Sequence, residues 1–199
     1  MATTIIGIGG PSGSGKSTLA AHLRDALAPV RAEILTLDSY YFPLDHLSPA
    51  ERSTRNFDHP DSLDWTLVAQ HLAALVRGEA IEEPVYRFDL HTRDARTRRV
   101  EPAPYVLIEG ILALHHPALR ALMHRKVYID TQDPRCLTRR LRRDVAERGR
   151  TAESVEAQYE RTVRPMAEQF VWPSRQWADI VVSGERGYDE PVSAVLALL

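Results

Sequence analysis

Sulfur chemistry is nearly absent from this chain. Cys136 is the only cysteine among 199 residues, which excludes an internal disulfide and suits a reducing cytoplasm. It falls in a predicted helix with no His or Cys cluster beside it, so it reads as a small buried hydrophobe. No apolar run approaches the roughly eighteen residues that a membrane-spanning helix needs. Residues 1–10 have neither the basic start nor the apolar length of a signal peptide. A dominant charge is missing too: the formal net charge is −2, which lends no general affinity for nucleic acid or membrane. Lysine is scarce. Only Lys16 and Lys126 occur, and neither lies in the N/T-K-x-D pattern by which a GTP-dependent switch or metallochaperone reads guanine. Repeats and low-complexity segments are also lacking. With 44% hydrophobic and 26% charged residues, the expectation is one soluble, cytoplasmic domain over residues 1–199.

What is present alternates. Short β-branched, apolar segments at 3–8, 33–37, 105–108, 126–129 and 179–182 read as strands covered on both faces. Helical patterns lie between them: 16–27, with Leu19, Leu23 and Leu27 four apart; 64–77, stopped by Gly78; and 134–148, stopped by Gly149, with Asp133 as predicted N-cap and Pro134 at the first helical position. Such alternation predicts an α/β domain with a mostly parallel sheet. Two excursions interrupt it. Residues 39–63 are polar and turn-rich, with a capping box at Ser48–Glu51. Residues 83–102 read as a hairpin insertion, with strands at 85–88 and 98–101. Long excursions from a compact α/β core tend to be functional.

The strongest local signal is Gly10-Pro11-Ser12-Gly13-Ser14-Gly15-Lys16-Ser17, a G-x-x-x-x-G-K-[ST] loop between a strand and a helix. Its glycines let successive N–H groups turn inward onto phosphate oxygens, and the following helix adds its positive end. Lys16 is placed to reach the β- and γ-phosphates of a nucleotide, and the Ser17 hydroxyl to hold Mg²⁺. A flexible Gly/Ser turn explains neither the lysine nor the strand–helix context.

In open α/β sheets, ligands sit outside the carboxyl ends of the strands. Asp38 and Glu109 each follow a predicted strand and should share the edge of the phosphate loop. Phosphoryl transfer needs an acceptor for the hydroxyl proton and ligands for the metal. Asp38 fits the base and a metal partner, and Glu109 a metal-side carboxylate; position alone also allows each merely to end a strand or cap a helix. Between Arg135 and Arg150, seven arginines face only Asp144 and Glu147. Leu137, Leu141 and Val145 form an apolar stripe expected to pack this helix on the body. Arg140 and Arg143 lie beside it, suited to neutralising transferred charge as a lid closes over about 133–150. A nucleic-acid patch and a plain solvated face are the competing readings.

Motifs in order along nearly the whole chain resemble the uridine kinases (uridine–cytidine kinases). They are Gly10–Ser17, Leu37–Tyr41, Asn56–Asp61, Pro84–Tyr86 with His91, Ile108–Leu112, Arg142–Asp144 with Glu147–Arg150, Arg164–Met166, and Ala178–Ile180. The resemblance implies a three-layer P-loop kinase fold: a five-stranded parallel sheet, a β-hairpin over the nucleoside site and an arginine-rich lid, usually in a homotetramer. It implies 5′-phosphorylation of uridine or cytidine with ATP, or GTP, and Mg²⁺, a step of pyrimidine salvage. By motif position Asp38 is the base, with Lys16 and Arg143 completing the catalytic set. Gly10, Ser12, Gly13, Ser14, Gly15, Lys16, Ser17 and Thr18, with Arg148 and Arg150, hold the nucleotide. Ser17, Glu109 and Asp38 stand on the metal side. Asp58 and Arg140 are ribose contacts, Tyr86 and His91 read the base edge, and Phe88 and Gln158 complete the nucleoside site. Tyr41, Phe57, Tyr86 and Phe88 would wall a flat base, a carboxylate with a guanidinium suits vicinal hydroxyls, and no nucleic-acid or membrane partner is implied.

One position departs from the family pattern. Arg87 stands where an acid usually follows the motif tyrosine, with Asp89 two residues on. Strand alternation puts Arg87 and Asp89 on the hairpin's outer face and Tyr86 and Phe88 on the other. Related kinases of phosphoribulose or pantothenate are the nearest enzymatic rivals, and Asn56–Asp61 with His91 argues for a nucleoside. A silent nucleic-acid module would instead bind with steep salt dependence.

Overall fold

The computed structural model describes residues 3–199. In chain order it contains β1 (Thr4–Gly9), α1 (Lys16–Ala26), β2 (Ala32–Thr36), α2 (Pro49–Ser53), α3 (Trp65–Val76), β3 (Ile81–Arg87), β4 (Thr92–Val100), β5 (Tyr105–Glu109), α4 (Pro117–Leu122), β6 (Arg125–Asp130), α5 (Asp133–Arg148), α6 (Ala152–Gln158), β7 (Ile180–Ser183) and α7 (Asp189–Leu196). Five strands form one parallel sheet in the order β2-β5-β1-β6-β7. The sequence placed these strands to within a residue or so at each end.

Helices cover both faces because the strands are apolar on both. Ile5, Leu35, Val106 and Ile108 pack with α3 and α4. Ile6, Ile8, Leu107, Val127 and Ile129 pack with Leu19 and Leu23 of α1 and Val195 of α7. Each such fully buried Leu or Ile stabilises the fold by about 1.5–3 kcal/mol over its exposed state. Among the described residues no helix is long and apolar enough to cross a membrane.

Register positions the site. Ile8 pairs with Glu109, and Glu109 with Thr36, so three strands end level and deliver the loop after β1, Glu109, and the 3₁₀ turn Leu37–Tyr40 to one sheet edge. The hairpin β3–β4 stands over that edge, and β4 runs longer than expected, since its outward side chains are polar and needed no apolar pattern. Ser48 and Glu51 form the expected capping box of α2.

Two local expectations for α5 fail. Asp133 does not cap the helix: its carboxylate accepts hydrogen bonds from Tyr159 Oη and the Arg164 guanidinium, partners brought by tertiary structure. Nor does the apolar stripe form the buried face. Val145 is exposed, and the buried residues are Cys136, Arg140 and Asp144, one turn apart each. The helix turns its charged face inward because what it lines is a polar cavity. Beyond α6 the chain continues through π-helical turns at Tyr159–Val163 and Ala167–Val171.

Candidate active site

The phosphate loop is built by close backbone approach. Gly13 has φ 82°, and a Cβ there would stand 2.3 Å from the Cys136 carbonyl oxygen of α5. Gly15 has φ 104° at the N-cap of α1. Lys16 is buried and donates to the Pro11 carbonyl at 2.8 Å. Burial holds its pKa below the ordinary lysine value, against the opposing pull of Glu109 and Asp38. Gly10 is buried beneath the loop, Ser14 Oγ is buried without a hydrogen-bond partner among the described residues, and Thr18 is exposed on α1 outside the cavity. The loop is gripped from outside as well: Arg139 donates to the carbonyls of Gly13 and Ser14 at 3.4 and 3.3 Å and of Gly184 at 2.8 Å, and Thr131 Oγ1 to Ser14 at 3.1 Å. Sequence reasoning missed both residues; nothing local separates Arg139 from six neighbouring arginines.

Beside the loop, Ser17 Oγ donates to Glu109 Oε1 at 2.9 Å. Burial raises the Glu109 pKa above its ordinary value, partly offset by Lys16. A hydroxyl and a carboxylate in contact next to a phosphate cradle fit Mg²⁺, which takes one or two carboxylates and completes its shell with water and phosphate oxygens. Among the described residues no group of three or more His, Cys, Asp or Glu side chains forms a self-sufficient metal cage.

A cavity of about 220 Å³ runs from Lys16 and Ser17 past Asp38 to Asp58, Tyr86, Phe88 and His91, and Arg140, Arg143, Arg148, Arg150 and Gln158 also line it. Asp58 is 7% exposed, and burial raises its pKa while Arg140 opposes the shift. Tyr41, Phe57, Tyr86 and Phe88 form an edge-to-face aromatic cluster. His91, at φ 51° in the hairpin turn, stacks on Phe57 with ring centroids 5.6 Å apart. Burial lowers the His91 pKa and so favours the neutral ring, which offers one donor and one acceptor. The Tyr86 hydroxyl is buried with no hydrogen-bond partner among the described residues. Arg140 donates to Ser12 Oγ at 2.9 Å and to Gln158 Oε1 at 3.0 Å, and Arg150 shares that Gln158 oxygen. The Arg148 guanidinium lies 3.8 Å over the Phe88 ring.

Arg87 faces away, bound to Asp89 at 2.9 and 2.6 Å and near Asp94 at 3.5 Å. Asp89 shares that face with Arg87, as expected, and its exposed side chain also borders the cavity.

Residues 5–189 match the model of the phosphoribulokinase/uridine kinase family. The chain belongs to this family. It is 49% identical to proteins named uridine kinase from Vibrio parahaemolyticus and Salmonella paratyphi B, in each case over 89% of this chain and 85% of the relative. Its fold matches D-glycerate 3-kinase from Cryptococcus neoformans, with TM-score 0.67 and 18% identity over 94% of this chain and 88% of that one. It also matches phosphoribulokinase from Rhodobacter spheroides, with TM-score 0.66 and 16% identity over 91% and 70%.

As a kinase of this family, the protein carries a cavity whose charges nearly balance. Lys16 and four arginines line it against Asp38, Asp58, Asp89 and Glu109. Lys16, and Arg140 through Ser12, meet the phosphate loop, while the aromatic rings with Asp58 and His91 form another part of the lining, where Arg148 lies on Phe88. Such a division suits a charged donor held at one end and a flat, neutral acceptor at the other.

Proposed function

We propose that this kinase transfers the γ-phosphoryl group of ATP to the 5′-hydroxyl of uridine or cytidine, giving ADP and UMP or CMP. The observation that carries the reading is the single cavity in which Asp38 stands between the phosphate loop and the Asp58–aromatic end. Asp58 accepts from the ribose hydroxyls while Arg140, held by Ser12 and Gln158, donates to them. Tyr86 and His91 offer polar atoms to the base edge, and the aromatic cluster excludes water from its faces. Asp38 accepts the 5′-hydroxyl proton as the O5′–P bond forms and the bond to the ADP oxygen breaks. Lys16 and Arg143 hold the transferred phosphoryl oxygens. Ser17 and Glu109 would hold Mg²⁺, which supplies charge neutralisation on the β- and γ-phosphates when bound. The 49% identity to proteins named uridine kinase supports the acceptor class. The reading carries with it a cytoplasmic role in pyrimidine salvage and a homo-oligomeric, tetrameric assembly.

The test is an ADP-release assay over a panel of nucleosides, ribulose 5-phosphate and pantothenate, with ATP and GTP as donors. Turnover with uridine or cytidine is expected, and Asp38→Asn should lower kcat on the order of 1000-fold. Folded protein that turns over neither pyrimidine nucleoside overturns the acceptor assignment.

A further inference from the structure

Asp144 is fully buried in α5 and, among the described residues, its carboxylate makes no hydrogen bond or ion pair to the phosphate loop, yet four arginines lie within 3.7 Å of it. One oxygen, Oδ1, is 2.9 Å from Arg143 and 3.4 Å from Arg148. The other, Oδ2, is 3.5 Å from Arg140 and 3.7 Å from Arg150, and no donor satisfies it in hydrogen-bond geometry. The two oxygens thus serve two different pairs. Arg140 and Arg150 are the pair joined through Gln158 at the nucleoside end. Arg143 and Arg148 line both this cavity and a neighbouring one that holds the metal-side pair Ser17 and Glu109 as well as Tyr86 and Phe88 of the hairpin, and neither bonds Gln158.

We propose that Asp144 is a positioning residue for phosphoryl transfer: its two carboxylate oxygens hold an acceptor-side and a donor-side pair of arginines in fixed relation, so that both substrates are oriented from one point. Four guanidiniums this close repel one another, and in a partly desolvated cavity that repulsion is poorly screened. A carboxylate at their centre cancels it without occupying the space the phosphates need, because it sits behind the guanidiniums. The two pairs then differ in what else restrains them. Gln158 and Ser12 fix Arg140, whereas the donor-side pair has Asp144 and, for Arg148, the Phe88 ring. Removing the carboxylate leaves the positive charge that attracts phosphate and removes the geometry that aims it. Binding and catalysis should therefore separate, which general unfolding of the helix would not produce.

The inference rests on the donor half of the proposed function and not on which nucleoside is accepted. The experiment measures kcat with the best acceptor from the panel and, separately, ADP affinity by calorimetry without any acceptor; a wrong acceptor assignment changes only the first arm, and already in the unaltered protein. Asp144→Asn keeps the volume and removes the charge. A kcat loss of about 100-fold is expected, the scale of one misplaced transition-state contact, with ADP bound as tightly as before or tighter. Asp144→Glu should recover about tenfold of that loss by restoring the charge one methylene away. A kcat within threefold of the unaltered enzyme, or ADP affinity falling in step with kcat, overturns the proposal. Should Asp144→Asn not fold, Asp144→Glu decides: a lower kcat with ADP affinity retained supports the role, and an unchanged kcat refutes it.

Discussion

Replacing Asp58 by Asn separates what this carboxylate does for the fold from what it does for the substrate. Asp58 is 7% exposed, its backbone N–H is taken by Asn56 Oδ1, and its charged form bears a burial cost that Arg140 only partly offsets. The folded-state pKa lies above the unfolded value, so the folded protein holds the proton more tightly. The cost of ionisation is therefore complete above the raised pKa and absent below the unfolded value of about 3.9. Asn carries no such cost. Asp58→Asn should raise Tm at pH 8, and the gain should shrink to nothing as pH falls through the carboxylate range. Function should move the other way. A hydrogen bond to a charged group contributes about 1.5–3 kcal/mol and one to a neutral group about 1. The difference of roughly 0.5–2 kcal/mol is a rise of about two- to thirtyfold in KM for the nucleoside, with KM for ATP unchanged. Thermal melts at several pH values and initial rates against nucleoside concentration measure both. An unchanged nucleoside KM removes Asp58 from the ribose, and a Tm at pH 8 equal to or below that of the unaltered protein shows that the carboxylate bears no burial cost.

Gly13→Ala would place a Cβ 2.3 Å from the Cys136 carbonyl at a φ of 82°. The loop must shift, and ADP affinity measured by calorimetry should fall about 100-fold or more for the loss of aligned N–H donors; unaltered affinity would show that this stretch does not carry the phosphates. Phe88→Leu removes the ring beneath Arg148. The lost contact, about 0.5–1 kcal/mol, should speed amide exchange at 145–149 by about two- to fivefold, and unchanged exchange would mean that the ring does not restrain this end of α5.

The phosphate loop was legible because its chemistry is local: eight consecutive residues carry both the turn and the charged group, and a strand before and a helix after are enough context. The strand-end carboxylates were legible for a related reason. Parallel strands end on one edge, so Asp38 and Glu109 had to meet the loop once β1, β2 and β5 were recognised. The inner face of α5 was not legible. Apolar periodicity names the buried face only when the helix packs on a core, and here the cavity reverses the rule, burying Arg140 and Asp144 and exposing Val145. Arg139, one arginine among seven, became distinct only when tertiary structure brought three carbonyls to it.

The sequence by itself determined the kind of chemistry: a glycine-rich loop with lysine and serine, acids after apolar strands, and a basic helix leave little besides phosphoryl transfer. Tertiary structure alone decided which side chains share the cavity and which loop carbonyls Arg139 holds. The difference is physical. Backbone conformation and strand direction are set by neighbours along the chain, whereas Arg139 and Arg140 reach Gly13 and Ser12, more than a hundred positions away, only because folding places them within a few ångströms.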